Sequence, residues 1–185
     1  MSTPKVIFLV GIKHSGKSAL GRFASQTIDN ATFYDSDDLI LERLPSPYTT
    51  LRQYYREEGQ GAFMNLEYQA VKELIDELKG GLSIIALGGG ACDNVPLISL
   101  MQSVGQIIYL HVEAEPLYKR VIKGGIPPFL NQDDPETSFH TLYRQREAQY
   151  RKLSDYVLQL SDCRSVEENG QIVAKKLLEV AGSEE

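Results

Sequence analysis

Two runs of residues in this chain have the types and spacing for phosphate chemistry. The first, Gly11-Ile12-Lys13-His14-Ser15-Gly16-Lys17-Ser18, places two glycines around four residues and follows them with a lysine and a hydroxyl. Glycine backbones can turn successive N–H groups inward on an anion, and a helix opening near Lys17 adds its dipole. Lys17 supplies positive charge for the β- and γ-phosphates, and Ser18 a hydroxyl for Mg²⁺. The implied ligand is a nucleoside triphosphate, surrounded by Gly11, His14, Ser15, Gly16, Lys17, Ser18 and Ala19. His14 sits at a variable position with no partner fixed by the sequence, so it reads as a surface residue rather than a base.

The second run is Asp35, Asp37 and Asp38, directly after Phe33-Tyr34. Alone, such residues are often helix caps, with Ser36 or Asp37 capping a helix that starts near Leu39. Beside a phosphate loop they gain another use, because Mg²⁺ takes hard oxygen ligands. Asp35 suits the metal side. Asp37 is then placed to meet a substrate hydroxyl and accept its proton during phosphoryl transfer.

Both runs lie where strands end. Residues 5–10 form an apolar run into Gly11, as expected of a strand buried on both faces. Residues 31–34, 83–87, 106–112 and 156–160 read as four more strands. Helices are expected over 18–28, 52–58, 61–78, 115–123, 137–153 and 167–180, with an irregular loop at 124–136 that holds three of the prolines. This alternation implies a parallel α/β sheet with helices on both faces, whose ligands sit beyond the carboxyl ends of the strands. Gly88-Gly89-Gly90, at the end of one strand, therefore joins the candidate site.

A length of 185 residues suits one domain, 1–185. With 19 cationic and 25 anionic residues the net charge is −6, a poor basis for gripping nucleic acid. The longest apolar runs, 6–10 and 83–87, are far below the ~20 residues that cross a bilayer, and no charged-then-apolar leader opens the chain. Cys92 and Cys163 make neither a metal spacing nor a disulfide framework. A cytoplasmic monomer with no nucleic-acid or membrane partner is expected. Cys92 reads as a plain buried thiol, Tyr54, Tyr55, Tyr143 and Tyr150 as packing residues with wet tips, and 182–185 as a frayed end.

Taken in order, the phosphate loop, Phe33-Tyr34-Asp35-Ser36-Asp37, Glu58-Gly59 with Phe63 and Glu67, the triple glycine, and Arg146 with Tyr150 resemble the shikimate kinase family. The resemblance runs from Val6 to about Leu178. It implies a P-loop kinase of five parallel strands with a mobile lid at about 124–136 and a substrate-binding helical region at about 37–68. The implied reaction passes the γ-phosphate of ATP to a ring hydroxyl of shikimate, with Mg²⁺. Lys17 and Ser18 would match the phosphate and metal residues, Asp35 the metal-side aspartate and Asp37 the substrate-side one. Gly88, Gly89, Gly90 and Arg146 would line the substrate, Arg146 on its carboxylate. Arg120 and Arg164 would fall beside the adenine.

Two positions depart from that pattern. Met64 stands where the family carries a carboxylate-binding arginine, and Pro127 replaces the lid arginine. Neither can donate a hydrogen bond to an anion. Lys123, Arg52 and Arg56 are the neighbouring cations available to compensate. Two alternatives stay open: a kinase for another small hydroxy acid or polyol, and a nucleotide-binding protein that has lost catalysis. A nucleoside monophosphate kinase would want more arginines than remain.

Overall fold

The computed structural model describes residues 5–182. In chain order the elements are β1 (Lys5–Val10), α1 (Lys17–Thr27), β2 (Ala31–Asp35), α2 (Ser36–Glu42), α3 (Leu51–Glu77), β3 (Leu82–Ala86), a 3₁₀ turn (Ala91–Asp93), α4 (Val95–Val104), β4 (Gln106–His111), α5 (Ala114–Ile122), α6 (Pro135–Leu153), β5 (Tyr156–Gln159) and α7 (Val166–Gly182). The five strands pair in parallel in the order β2-β3-β1-β4-β5. β1 is central, with Phe8 opposite Ile85 on one side and Ile107 on the other. Its apolar run is buried throughout, because helices cover it: α1 and α7 pack on each other and against β1, while α4 and α6 pack against β4.

From β1 the chain passes to β2 on one side, and after β3 it crosses over β1 to β4 on the other, so a crevice opens at the carboxyl ends of these strands. α6 is held over that crevice by a buried polar contact. The Tyr143 hydroxyl donates to Val112 O at 2.9 Å and lies 2.9 Å from His111 Nε2, which also faces Glu147 Oε1 at 3.2 Å.

Several expectations need correcting. α2 begins at Ser36 rather than near Leu39, and its cap is Asp35, whose carboxylate accepts from the Asp37 N–H at 3.0 Å. The two helices expected over 52–58 and 61–78 are borne out, since α3 is two helices meeting at a kink at Gly59, whose φ of 84° lies outside the helical region. α4 was not expected at all. Tyr55 has an exposed ring, but the Tyr143 hydroxyl is bonded inside and the Tyr150 hydroxyl is buried against the Cys92 thiol, so neither tip is wet. Cys92 is buried as expected, and burial pushes its thiol up to about 11. Gly182 closes α7, and the rest of the tail expected to fray lies outside the described residues. No helix among the described residues is long and apolar enough to cross a membrane.

Candidate active site

The loop between β1 and α1 closes on its own lysine. Lys17 is buried, and its Nζ donates to Gly11 O at 2.8 Å and Ile12 O at 3.2 Å. Burial lowers its pKa to about 8, although the nearby Asp37 and Asp35 charges oppose the shift. Gly16 caps α1 at φ 96°, a left-handed conformation that a side chain would strain. That geometry aims the first N–H groups of α1 into the loop. His14 is exposed, and partial desolvation, with the charges of Lys13, Lys17 and Arg120 added, holds its imidazole below the usual range.

Asp35 ends β2 beside this loop and does two jobs. One carboxylate oxygen caps α2, and the other accepts from the Ser18 hydroxyl at 2.5 Å. The cap turns the chain so that Asp37 emerges one residue into α2, facing the triple glycine. Asp37 is exposed at the crevice, where partial desolvation and the Asp35 charge raise its carboxyl above the usual range.

The glycine segment is tied to the same edge. The Gly88 N–H donates to the buried Ser36 hydroxyl at 3.0 Å, linking the ends of β3 and β2. A side chain on Gly88 would come within 3.5 Å of both Asp37 Oδ1 and Glu67 Oε1. Gly89 lies against the backbone of the phosphate loop, and Gly90 against the Arg146 guanidinium. Arg146 reaches this point from α6, and its Nη2 is 3.6 Å from Asp93 Oδ2.

Arg120 Nη1 donates to His14 O at 3.3 Å, and its Nη2 pairs with Asp162 on the turn after β5. The expected adenine residues thus divide: Arg120 meets the phosphate loop, while Arg164 is exposed on that turn. Met64 is half-buried, and its backbone carbonyl accepts from Asn94 Nδ2 at 2.8 Å. Arg56 points to solvent against Glu57. Among the described residues no hydrogen bond or ion pair joins Arg52, Arg56 or Lys123 to Asp37, Glu67 or Arg146.

Sequence reasoning missed Glu67, Asn94 and Asp93 as site residues. Glu67 is 3% exposed, and its Oε2 accepts from Asn94 Nδ2 at 2.9 Å. Burial raises its carboxyl to about 7, against the Asn94 hydrogen bond, with the Asp37 charge adding to the rise. Its only sequence signal was its place in the Phe63-to-Glu67 pattern.

Comparison with known proteins agrees with this geometry. A model of the family described as shikimate kinase matches residues 13–181. Shikimate kinase of Neisseria gonorrhoeae is 30% identical over 171 residues, covering 92% of this chain and 95% of that one. Shikimate kinase of Shewanella amazonensis is 27% identical over 182 residues, covering 98% and 99%. The solved shikimate kinase from Acinetobacter baumannii in complex with shikimate superposes with a TM-score of 0.79 at 25% identity, over 96% of this chain and 94% of that one. That from Bacteroides thetaiotaomicron gives 0.73 at 27%, over 95% and 98%. The family match covers β2 to β5, the glycine segment and α6 together, and so this chain belongs to the shikimate kinase family.

Proposed function

We propose that this protein transfers the γ-phosphate of ATP to a ring hydroxyl of shikimate. The observation that carries the reading is the convergence of Asp37 and Arg146 on the glycine segment, with Lys17 near enough to feel both charges. Lys17, Asp37 and Arg146 supply, in order, a cation for phosphate, a base for a hydroxyl, and a cation for a carboxylate.

Phosphoryl transfer asks little covalent chemistry of the protein, so positioning and electrostatics do most of it. The β- and γ-phosphates would take the place of Gly11 O and Ile12 O as partners of Lys17 Nζ, and would sit on the amino end of α1. The acceptor oxygen attacks the γ-phosphorus, the bond to the β,γ-bridging oxygen breaks, and ADP leaves. Asp37 takes the proton that the acceptor hydroxyl gives up. Its raised carboxyl makes it a better base than an ordinary aspartate. Arg146 would fix the acceptor by its carboxylate, and the loop between α5 and α6 would close over the nucleotide and exclude water.

Mg²⁺ fits the residues present. Ser18 Oγ and Asp35 Oδ2 are a hydroxyl and a carboxylate oxygen 2.5 Å apart at the mouth of the phosphate loop. These are the hard donors Mg²⁺ takes, commonly with waters completing its shell. When bound, the ion neutralises charge developing on the phosphates. We also assign 1–185 to one domain, with 37–68 as the acceptor-binding region and 124–136 as the lid.

The test is turnover of shikimate with MgATP by the wild type and by Asp37→Asn. The amide keeps the shape but cannot take the proton, so kcat should fall by about 10²–10⁴-fold while ATP affinity holds. An inactive wild type would overturn the reading. Collapse of ATP binding in the variant, with normal acceptor kinetics, would mean that Asp37 serves the nucleotide instead.

A further inference from the structure

Arg146 reaches the crevice almost unpartnered. Its Nε is buried without a hydrogen-bond partner among the described residues. Its one ion pair among the described residues, to Asp93 at 3.6 Å, is longer than a hydrogen bond. It also lines a cavity of about 320 Å³ with Asp93, Leu142, Gln145 and Gln149. The four α6 residues recur at helical spacing, so one face of that helix forms the cavity wall.

Asp93 completes that wall from the other side. It ends the 3₁₀ turn that follows the triple glycine, and its N–H donates to Gly90 O at 3.0 Å, which folds the turn back toward Arg146. Gln149 Nε2 donates to Asp93 Oδ1 at 3.3 Å, fixing the carboxylate from α6 as well. A carboxylate thus stands beside the only arginine that contacts the glycine segment among the described residues. With Met64 contributing no charge, Arg146 brings a guanidinium against the glycine segment, where an anionic acceptor would meet it.

We propose that Asp93 is a specificity-determining residue, a resident counter-ion of Arg146 that the carboxylate of an anionic acceptor must displace. The proposal rests on the shikimate reading above. Two effects follow from the same contact. Asp93 offsets part of the Arg146 charge and faces any incoming carboxylate with a like charge. An acceptor without a carboxylate meets neither effect. The pocket therefore discriminates less strongly for acids than a site whose arginine is free.

The experiment compares shikimate with shikimate methyl ester, which keeps the ring hydroxyls and loses the charge. Steady-state constants are measured for the wild type, Asp93→Asn and Asp93→Ala, each checked for folding by circular dichroism. Asp93→Asn keeps the shape and the turn, so it carries the test if the alanine variant fails to fold. The KM for shikimate should fall about three- to tenfold in Asp93→Asn, while the KM for the ester and for ATP stay within about twofold. An unchanged or raised KM for shikimate, or an equal fall for acid and ester, would overturn the proposal. Wild-type enzyme that turns over shikimate while the acid-to-ester ratio stays fixed would sink Asp93 alone. Wild-type enzyme with no shikimate activity would sink both this proposal and the reading beneath it.

Discussion

Single side chains at this site are set by what surrounds their charge. Lys17 is a buried cation held by two backbone carbonyls and two nearby carboxylates, which keep it in place before any phosphate arrives. Met64 is the contrasting case. It lies one helical turn before Glu67 on α3, and a methionine there leaves Glu67 with an amide partner, Asn94, in place of a cation. Met64→Arg should change two things at once. A charge-assisted hydrogen bond to a carboxylate is worth roughly 1.5–3 kcal/mol, and each ~1.4 kcal/mol is tenfold in affinity. The KM for shikimate should then fall by about tenfold or more, with that for ATP little changed. The new guanidinium should also draw Glu67 into its charged form. A variant whose shikimate KM stays put would show that position 64 does not reach the acceptor.

Elements matter here mainly through where their ends meet. The phosphate loop and the glycine segment pack backbone to backbone. A side-chain carbon on Gly89 would stand 2.7 Å from the Lys13 nitrogen and 3.1 Å from its Cα. Backbone cannot swing aside as a rotamer can, so Gly89→Ala must push the two segments apart. We expect a stability loss of about 1–3 kcal/mol and at least a tenfold fall in ATP affinity, measured by denaturant unfolding and nucleotide titration. Gly182→Ala is the control, since no atom lies within 4 Å of its added carbon and it is far from the phosphate loop in the chain. Equal losses in both variants would remove the explanation.

These junctions also mark how far the sequence could be read. Continuous apolar runs identified β1 and β3, because a strand buried on both faces needs apolar residues at every position. The phosphate loop was legible because its chemistry is local. α4 was missed although its start was written in Asn94 as cap and Pro96 in the first turn. Asp35 was read for metal, but its cap of α2 was assigned to its neighbours. Glu67 with Asn94, and Arg146 with Asp93, are pairs joined only by the fold. No local pattern announces a contact across 27 or more residues of chain.

At the scale of the whole molecule, folding brings a carboxyl group out of water where α3, the cap of α4 and the glycine segment meet. Glu67 ends buried at that junction with its pKa raised to about 7 from an ordinary value of 4.5. The sign follows from proton linkage. Between those two values the folded protein binds a proton that the unfolded chain has released, so stability falls as pH rises through the window. The size is about 3 kcal/mol, from ~1.36 kcal/mol for each pKa unit. Asp37, also raised, adds to the same slope, whereas Lys17, lowered to about 8, acts with the opposite sign above that pH. The informative quantity is thus the difference between wild type and Glu67→Gln, taken from about pH 5 to about pH 7.5. Glutamine keeps an oxygen for Asn94 Nδ2 and carries no charge to desolvate. Near pH 5 the two proteins should unfold at similar urea concentrations. Toward pH 7.5 the variant should become the more stable, by up to about 3 kcal/mol, and the gap should close again on acidification. A gap that stays constant with pH would mean that Glu67 keeps the same protonation state folded and unfolded, and that the junction is not as dry as its burial implies.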